Sequence, residues 1–222
     1  MDYAFFHTVE NNKTYAESKF LTASDGMPLA YYHHKAVVAS SQCPVLIFYH
    51  GGGAYQVAAY QAMAQELAEK QGVSSYLFDI RGHGRSGGAR GDTPSADRVL
   101  LDVEEAICFV RKHNPKAVLY AAGHSSGCGL LMHALQQGFI KSELAGMIFI
   151  APFLGARSKI VLQSDFIKKV LLWRFIWHGI TGYGLNQPAV YFNYPVWLHV
   201  QAPLLLDYYT VAMSYAITPE HG

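Results

Sequence analysis

Val118-Leu119-Tyr120-Ala121-Ala122-Gly123-His124-Ser125-Ser126-Gly127-Cys128-Gly129-Leu130-Leu131 is the stretch that decides the fold. Its first five residues form an apolar run long enough for a buried strand, and Cys128 to Leu135 has the composition of a helix packed on a sheet. Between them lies G-x-S-x-G, which in a strand–turn–helix context makes a nucleophile elbow. Gly123 and Gly127, two residues either side of the serine, leave room for strand and helix to pass without a Cβ clash. The turn strains the backbone at Ser125 and lifts its hydroxyl clear of the strand, above the first helical N–H groups.

The pattern repeats on either side. Upstream, Lys19–Thr22 and Leu29–Tyr32 flank the turn signal Ser24-Asp25-Gly26 and predict a hairpin. Val45–Tyr49 reads as a strand buried on both faces and runs into His50-Gly51-Gly52-Gly53. Tyr60–Gln71 carries Met63, Leu67 and small alanines at helical spacing, with Gly72 as its cap. Val73–Phe78 is the next strand, and the loop Arg81-Gly82-His83-Gly84-Arg85-Ser86-Gly87-Gly88 follows Asp79. A helix is predicted from near Ser95 or Asp97 to Asn114-Pro115, with Val99, Val103, Ala106, Ile107 and Val110 as its stripe. Leu144–Ile150 gives one more strand. Strand and helix alternating in this way predict an α/β architecture, a mostly parallel sheet with helices on both faces.

After Phe153 the rhythm changes. Residues 154–202 are rich in aromatic residues, interrupted by Gly and Pro, and show no strand alternation. They are expected to form a helical cap inserted after a core of residues 1–153, with a helix or two over Asp165–Gly179. Residues 203–222 then end the cap or begin a C-terminal core segment, and the stretch through Tyr215 and Ala216 reads as more cap helix.

Composition narrows the function classes. The 222 residues are 51% hydrophobic and 15% charged, which excludes disorder. Seventeen basic and sixteen acidic residues give no electrostatic case for nucleic acid. Cys43, Cys108 and Cys128 form neither a disulfide framework nor a zinc pattern, and read as buried thiols in a reducing compartment. The chain starts without a signal peptide and has no bilayer-spanning run, so a cytoplasmic protein is expected. Eleven histidines form no H-E-x-x-H or comparable cluster, and the Gly82–Gly88 loop is not a phosphate loop; no metal or cofactor is expected.

The loops that follow parallel strands share one edge of the sheet, where ligands bind. There, acyl transfer needs a nucleophile, a base and oxyanion donors. Ser125 is the candidate nucleophile. The Ser126 N–H is one candidate donor and the Gly52 N–H, on the triple-glycine loop, is the other. His50, Asp79 and His83 read as scaffold that holds the loops.

Three motifs in order, His50-Gly51-Gly52-Gly53, Asp79-Ile80-Arg81-Gly82-His83-Gly84-Arg85-Ser86-Gly87 and Gly123-His124-Ser125-Ser126-Gly127, together with Gly146–Pro152, resemble the α/β-hydrolase superfamily. Within it the chain looks like the monoacylglycerol lipase and lysophospholipase branch, of the serine aminopeptidase S33 type, over roughly residues 15–155. The resemblance implies a serine esterase or lipase that acts on a small-molecule acyl ester or lipid, with an apolar cap for the acyl chain. It also implies an Asp and then a His after the cap, on two further strands. Here the chain departs from the pattern. Asp207 and His221 are the candidates that remain, with His221 beside the chain end where a base is hard to hold in place, and the expectation is a chain that lacks the last strands with its acid and base. Two alternatives stand beside the esterase: a peptidase or thioesterase on the same fold, and an inactive hydrolase-like protein that binds an apolar ligand or partner. The Lys168–Ile180 stretch also has the look of a basic amphipathic helix that could lie on a membrane surface.

Overall fold

The computed structural model describes residues 15–37, 43–56, 59–155 and 167–219. The predicted hairpin forms from β1 (Ser18–Thr22) and β2 (Pro28–His34). Its turn needs Gly26, which sits at φ 83°. β3 (Val45–Tyr49), β4 (Ser74–Phe78), β5 (Leu119–His124) and β6 (Gly146–Ile150) then alternate with α1 (Ala59–Lys70), α2 (Ala96–His113) and α3 (Ser126–Gln136). The six strands make one sheet in the order β1-β2-β4-β3-β5-β6. β2 joins β4 antiparallel, and β4, β3, β5 and β6 run parallel.

Every residue of β3 and β4 is buried, as a strand with helices on both faces requires. One face carries Val45, Ile47, Tyr49, Tyr76 and Phe78 against α2 and α3. The other carries Leu46, Phe48 and Leu77 against Tyr60 and Ala64 of α1. α2 begins where the sequence predicts, at Ser95, whose side chain accepts from the Arg98 N–H. Among the described residues no strand pairs with the outer edge of β6, and Ile148, Phe149 and Ile150 are exposed there.

The segment after β6 corrects one expectation. It holds the helices α4 (Leu172–Thr181), α5 (Val196–Gln201) and α6 (Val211–Ala216), but it also builds an antiparallel sheet from β7 (Ile167–Val170), β8 (Pro188–Phe192) and β9 (Tyr208–Thr210). Strands of three to five residues are too short to show an alternation in sequence. Nor does α6 continue a cap. Val211, Ala212, Met213 and Ala216 are wholly buried, and Met213, Ala216 and Ile217 join the core that α2 and α3 share with the sheet. The thiols need a correction too: Cys128 is buried, whereas Cys108 is exposed beside Glu104 and Ser142. No helix among the described residues is long and apolar enough to cross a membrane.

Candidate active site

Ser125 stands at the end of β5 as the N-cap of α3, with φ 52° and ψ −115°. Such a conformation strains any residue but glycine, and it survives only where the surroundings enforce it. They do so on both sides. The Ser125 N–H donates to the Ile150 carbonyl at 2.9 Å, and its own carbonyl accepts from Phe153 N at 3.0 Å and Cys128 N at 3.1 Å. A Cβ on Gly123 would lie 2.5 Å from the Gly127 carbonyl carbon, and one on Gly127 would lie 2.5 Å from the Tyr49 carbonyl oxygen. The elbow therefore closes only with glycine at both positions. Ser125 is half-buried, at the rim rather than in the core.

The triple-glycine loop arrives beside it from β3. A Cβ on Gly51 would lie 3.4 Å from Ser125 Cβ and 2.9 Å from His124 Nδ1, which places loop and elbow in contact. Side chains engage nearly every polar group of the loop. The Gly51 N–H donates to Tyr60 Oη at 3.2 Å, and Tyr60 Oη lies 2.8 Å from His124 Nδ1. The Gly51 carbonyl accepts from His50 Nδ1 at 2.9 Å and from Ala54 N at 3.2 Å. The Gly52 carbonyl accepts from Tyr194 Oη, and the Gly53 N–H donates to Tyr209 Oη, both at 2.7 Å. The Gly53 carbonyl accepts from Leu206 N at 2.8 Å. Among the described residues, none accepts from the Gly52 N–H. The Ser126 N–H, first in α3, has no intrahelical acceptor either. The Gly51 end of the loop thus touches the elbow, and among the described residues nothing accepts from the Gly52 N–H.

The scaffold residues are placed as the sequence reading expects. His50 is fully buried, its Nδ1–H on the Gly51 carbonyl and its Nε2 accepting from the Ile80 N–H at 3.1 Å, and burial lowers its pKa to about 4. His83 Nδ1 donates to the Arg81 carbonyl at 2.9 Å, so its Nε2 accepts from the Tyr209 hydroxyl at 2.7 Å. Desolvation holds its pKa well below the usual histidine range. The Asp79 carboxylate takes the Gln56 N–H at 2.6 Å and the Arg85 N–H at 2.9 Å, and burial pushes its pKa up to about 6. A Cβ on Gly84 would fall 2.1 Å from Asp79 Oδ2, so glycine is obligatory in that turn.

Acid and base are not assembled among these residues. No described histidine or carboxylate is hydrogen-bonded to the Ser125 hydroxyl. Asp207 is largely exposed and lies 3.6 Å from His199 Nε2 on α5, and His221 falls outside the described residues. The sequence reading missed Tyr60, Tyr194 and Tyr209. They belong to no motif, and the last two reach the loop from more than 140 positions away.

Fold and site together define an α/β-hydrolase architecture: a parallel sheet, a strained serine between β5 and α3, and a glycine loop after β3. The chain belongs to the serine aminopeptidase, S33, family, whose profile matches residues 40–201. A solved monoglyceride lipase from Saccharomyces cerevisiae, in complex with a substrate analog, superposes with a TM-score of 0.71 at 17% identity, over 95% of this chain and 69% of that one. The Escherichia coli protein YnbC is 26% identical over 174 residues, covering 78% of this chain and 28% of its own length. The thiohydrolase aneE of Aspergillus aculeatus is 30% identical over 109 residues, 48% of this chain and 33% of its own. The chain thus spans a third or less of these two curated relatives.

Proposed function

We propose that the chain carries the nucleophile and oxyanion hole of a serine hydrolase acting on carboxylic esters of lipid-like molecules, of the monoacylglycerol lipase or lysophospholipase type. Ser125 attacks the ester carbonyl, and the Gly52 and Ser126 N–H groups receive the oxygen as it gains charge. Collapse of the tetrahedral species expels the alcohol and leaves an acyl group on Ser125, which water then removes. The observation that carries this reading is the strained Ser125 beside a glycine loop in which, among the described residues, nothing accepts from the Gly52 N–H. Loss of one such donor costs about 3 kcal/mol in the transition state.

The first step needs a proton acceptor at the Ser125 hydroxyl. His50 and His83 have both ring nitrogens engaged and cannot serve. That observation favours a second reading, an inactive hydrolase-like protein that binds an apolar ligand. One experiment separates the two. A fluorophosphonate probe is expected to label the wild-type chain and not Ser125→Ala; no labelling of wild type removes the hydrolase. A panel of esters, thioesters and peptides then divides the esterase from a thioesterase or peptidase on the same fold, and cleavage of the esters is the expected result.

The exposed apolar face of α4 supports a further part of the proposal, contact with a lipid surface. The free thiols of Cys108 and Cys128 fit a reducing compartment, the cytoplasm.

A further inference from the structure

Gly52 C=O and Gly53 N–H are the two ends of one peptide group, and each ends on a tyrosine hydroxyl. Tyr194 Oη donates to the carbonyl and Tyr209 Oη accepts from the N–H, both at 2.7 Å. Tyr209 cannot readily turn away. It is 1% exposed, and its own proton is committed to His83 Nε2, whose other nitrogen is fixed on the Arg81 carbonyl. Gly53 takes φ 65°, and a Cβ there would lie 2.8 Å from the Phe192 ring and 3.1 Å from Tyr194, so the aromatic residues close directly on the backbone.

We infer that Tyr194 and Tyr209 are positioning residues: they clamp the Gly52–Gly53 peptide and thereby hold the Gly52 N–H open toward Ser125. The inference rests on the oxyanion role proposed for Gly52. It also gives the segment after β6 a part in the chemistry. Tyr209 lies on β9 and Tyr194 just beyond β8, so the small antiparallel sheet supplies two fixed points for a loop that belongs to the large one. The neighbouring Gly51–Gly52 peptide is anchored at its carbonyl by His50 and Ala54. With both flanking peptides pinned, Gly52 N–H keeps its direction without a partner of its own, as a preorganised donor must.

The test compares Tyr194→Phe, Tyr209→Phe and a control, Tyr76→Phe, whose hydroxyl accepts from Asn114 Nδ2 at the C-terminal end of α2 and touches no residue of the glycine loop. Each chain is titrated with a fluorophosphonate, to separate the maximal rate of Ser125 labelling from half-saturation, and its glycine amides are followed by 15N NMR. Both clamp variants are expected to lose about 10- to 100-fold in maximal rate, the scale of a misplaced catalytic group, with half-saturation nearly unchanged. The Gly52 and Gly53 amide resonances should move, and Gly53 should exchange faster in Tyr209→Phe. Tyr76→Phe should lose stability alone. Clamp variants that label at the wild-type rate overturn the inference and leave the hydrolase standing. A wild-type chain that does not label removes the hydrolase, and the amide spectrum then decides the clamp: unmoved Gly52 and Gly53 resonances overturn it.

Discussion

His50, just after β3, has neither ring nitrogen free to take up a proton, because protonation of Nε2 would destroy its bond from the Ile80 N–H. His83 is locked in the same way between Arg81 and Tyr209. For both, the folded state favours the neutral ring, so the unfolded chain binds protons first as pH falls. Stability from these residues is therefore complete above about pH 6.5 and is lost as pH drops toward 4, the value to which His50 is held. A shift from 6.5 to about 4 corresponds to about 3 kcal/mol for His50 alone. Asp79 acts in the opposite sense. Its carboxyl, raised to about 6, destabilises the fold when ionised and is relieved as pH falls through that value. With two histidines against one aspartate, the urea midpoint should fall between pH 6.5 and 4. In NMR titrations the His50 ring should stay neutral to about pH 5, and a midpoint near 6.5 would contradict the locked geometry.

Between the elements, a buried charge cluster ties the β1–β2 hairpin to α2. Arg81 is 1% exposed and bonds Asp102 of α2 through Nε at 2.7 Å and Nη2 at 2.8 Å, while Asp25 of the hairpin turn reaches the same guanidinium at 2.9 Å. Arg98 adds bonds to Asp102 and Glu105. Removing one partner strands a buried charge, so Asp102→Ala should cost about 3–5 kcal/mol in urea unfolding. Arg81→Met with Asp102→Leu should recover most of it; an additive double variant would refute this account. Sequence reading placed these elements well where the signal was local. The apolar β3, the capped α2 and the elbow glycines each announce their own structure within a few residues. It failed where partners are distant. The short strands β7 to β9 gain their order from one another, and Tyr194 and Tyr209 matter only because the chain folds back onto Gly52 and Gly53. Such a pairing leaves no periodicity, spacing or motif in the sequence.

At the scale of the whole molecule, α4 carries a run of exposed apolar side chains among the described residues. Leu172, Trp173, Ile176, Trp177 and Ile180 follow one helical stripe and are 64%, 59%, 61%, 55% and 79% exposed, and no residue of α4 is buried. Lys168 and Lys169 precede the helix, and it carries no acidic residue in its first turn. A helix that touches its own chain through Phe175 and His178 against Tyr215, yet presents tryptophans and aliphatics on one side with cations nearby, fits the interface of an anionic bilayer. Large side chains of this kind gain about 1.5–3 kcal/mol each when fully buried, so insertion of only part of the stripe suffices for binding. The chain is therefore expected to co-float with phosphatidylcholine vesicles containing phosphatidylserine, and less with phosphatidylcholine alone. Trp173→Ser with Ile176→Ser and Ile180→Ser should reduce binding at least about tenfold, the loss of one partly buried large side chain, while leaving the fluorophosphonate rate at Ser125 intact on a soluble probe. A wild-type chain that stays in the aqueous fraction, or a triple variant that floats equally well, would refute a membrane role for α4. The clamp gives this arrangement its consequence for chemistry: α4 lies between β7 and β8, and the sheet they form with β9 carries Tyr209, so the surface offered to lipid and the residue that holds the glycine loop are parts of one small structure.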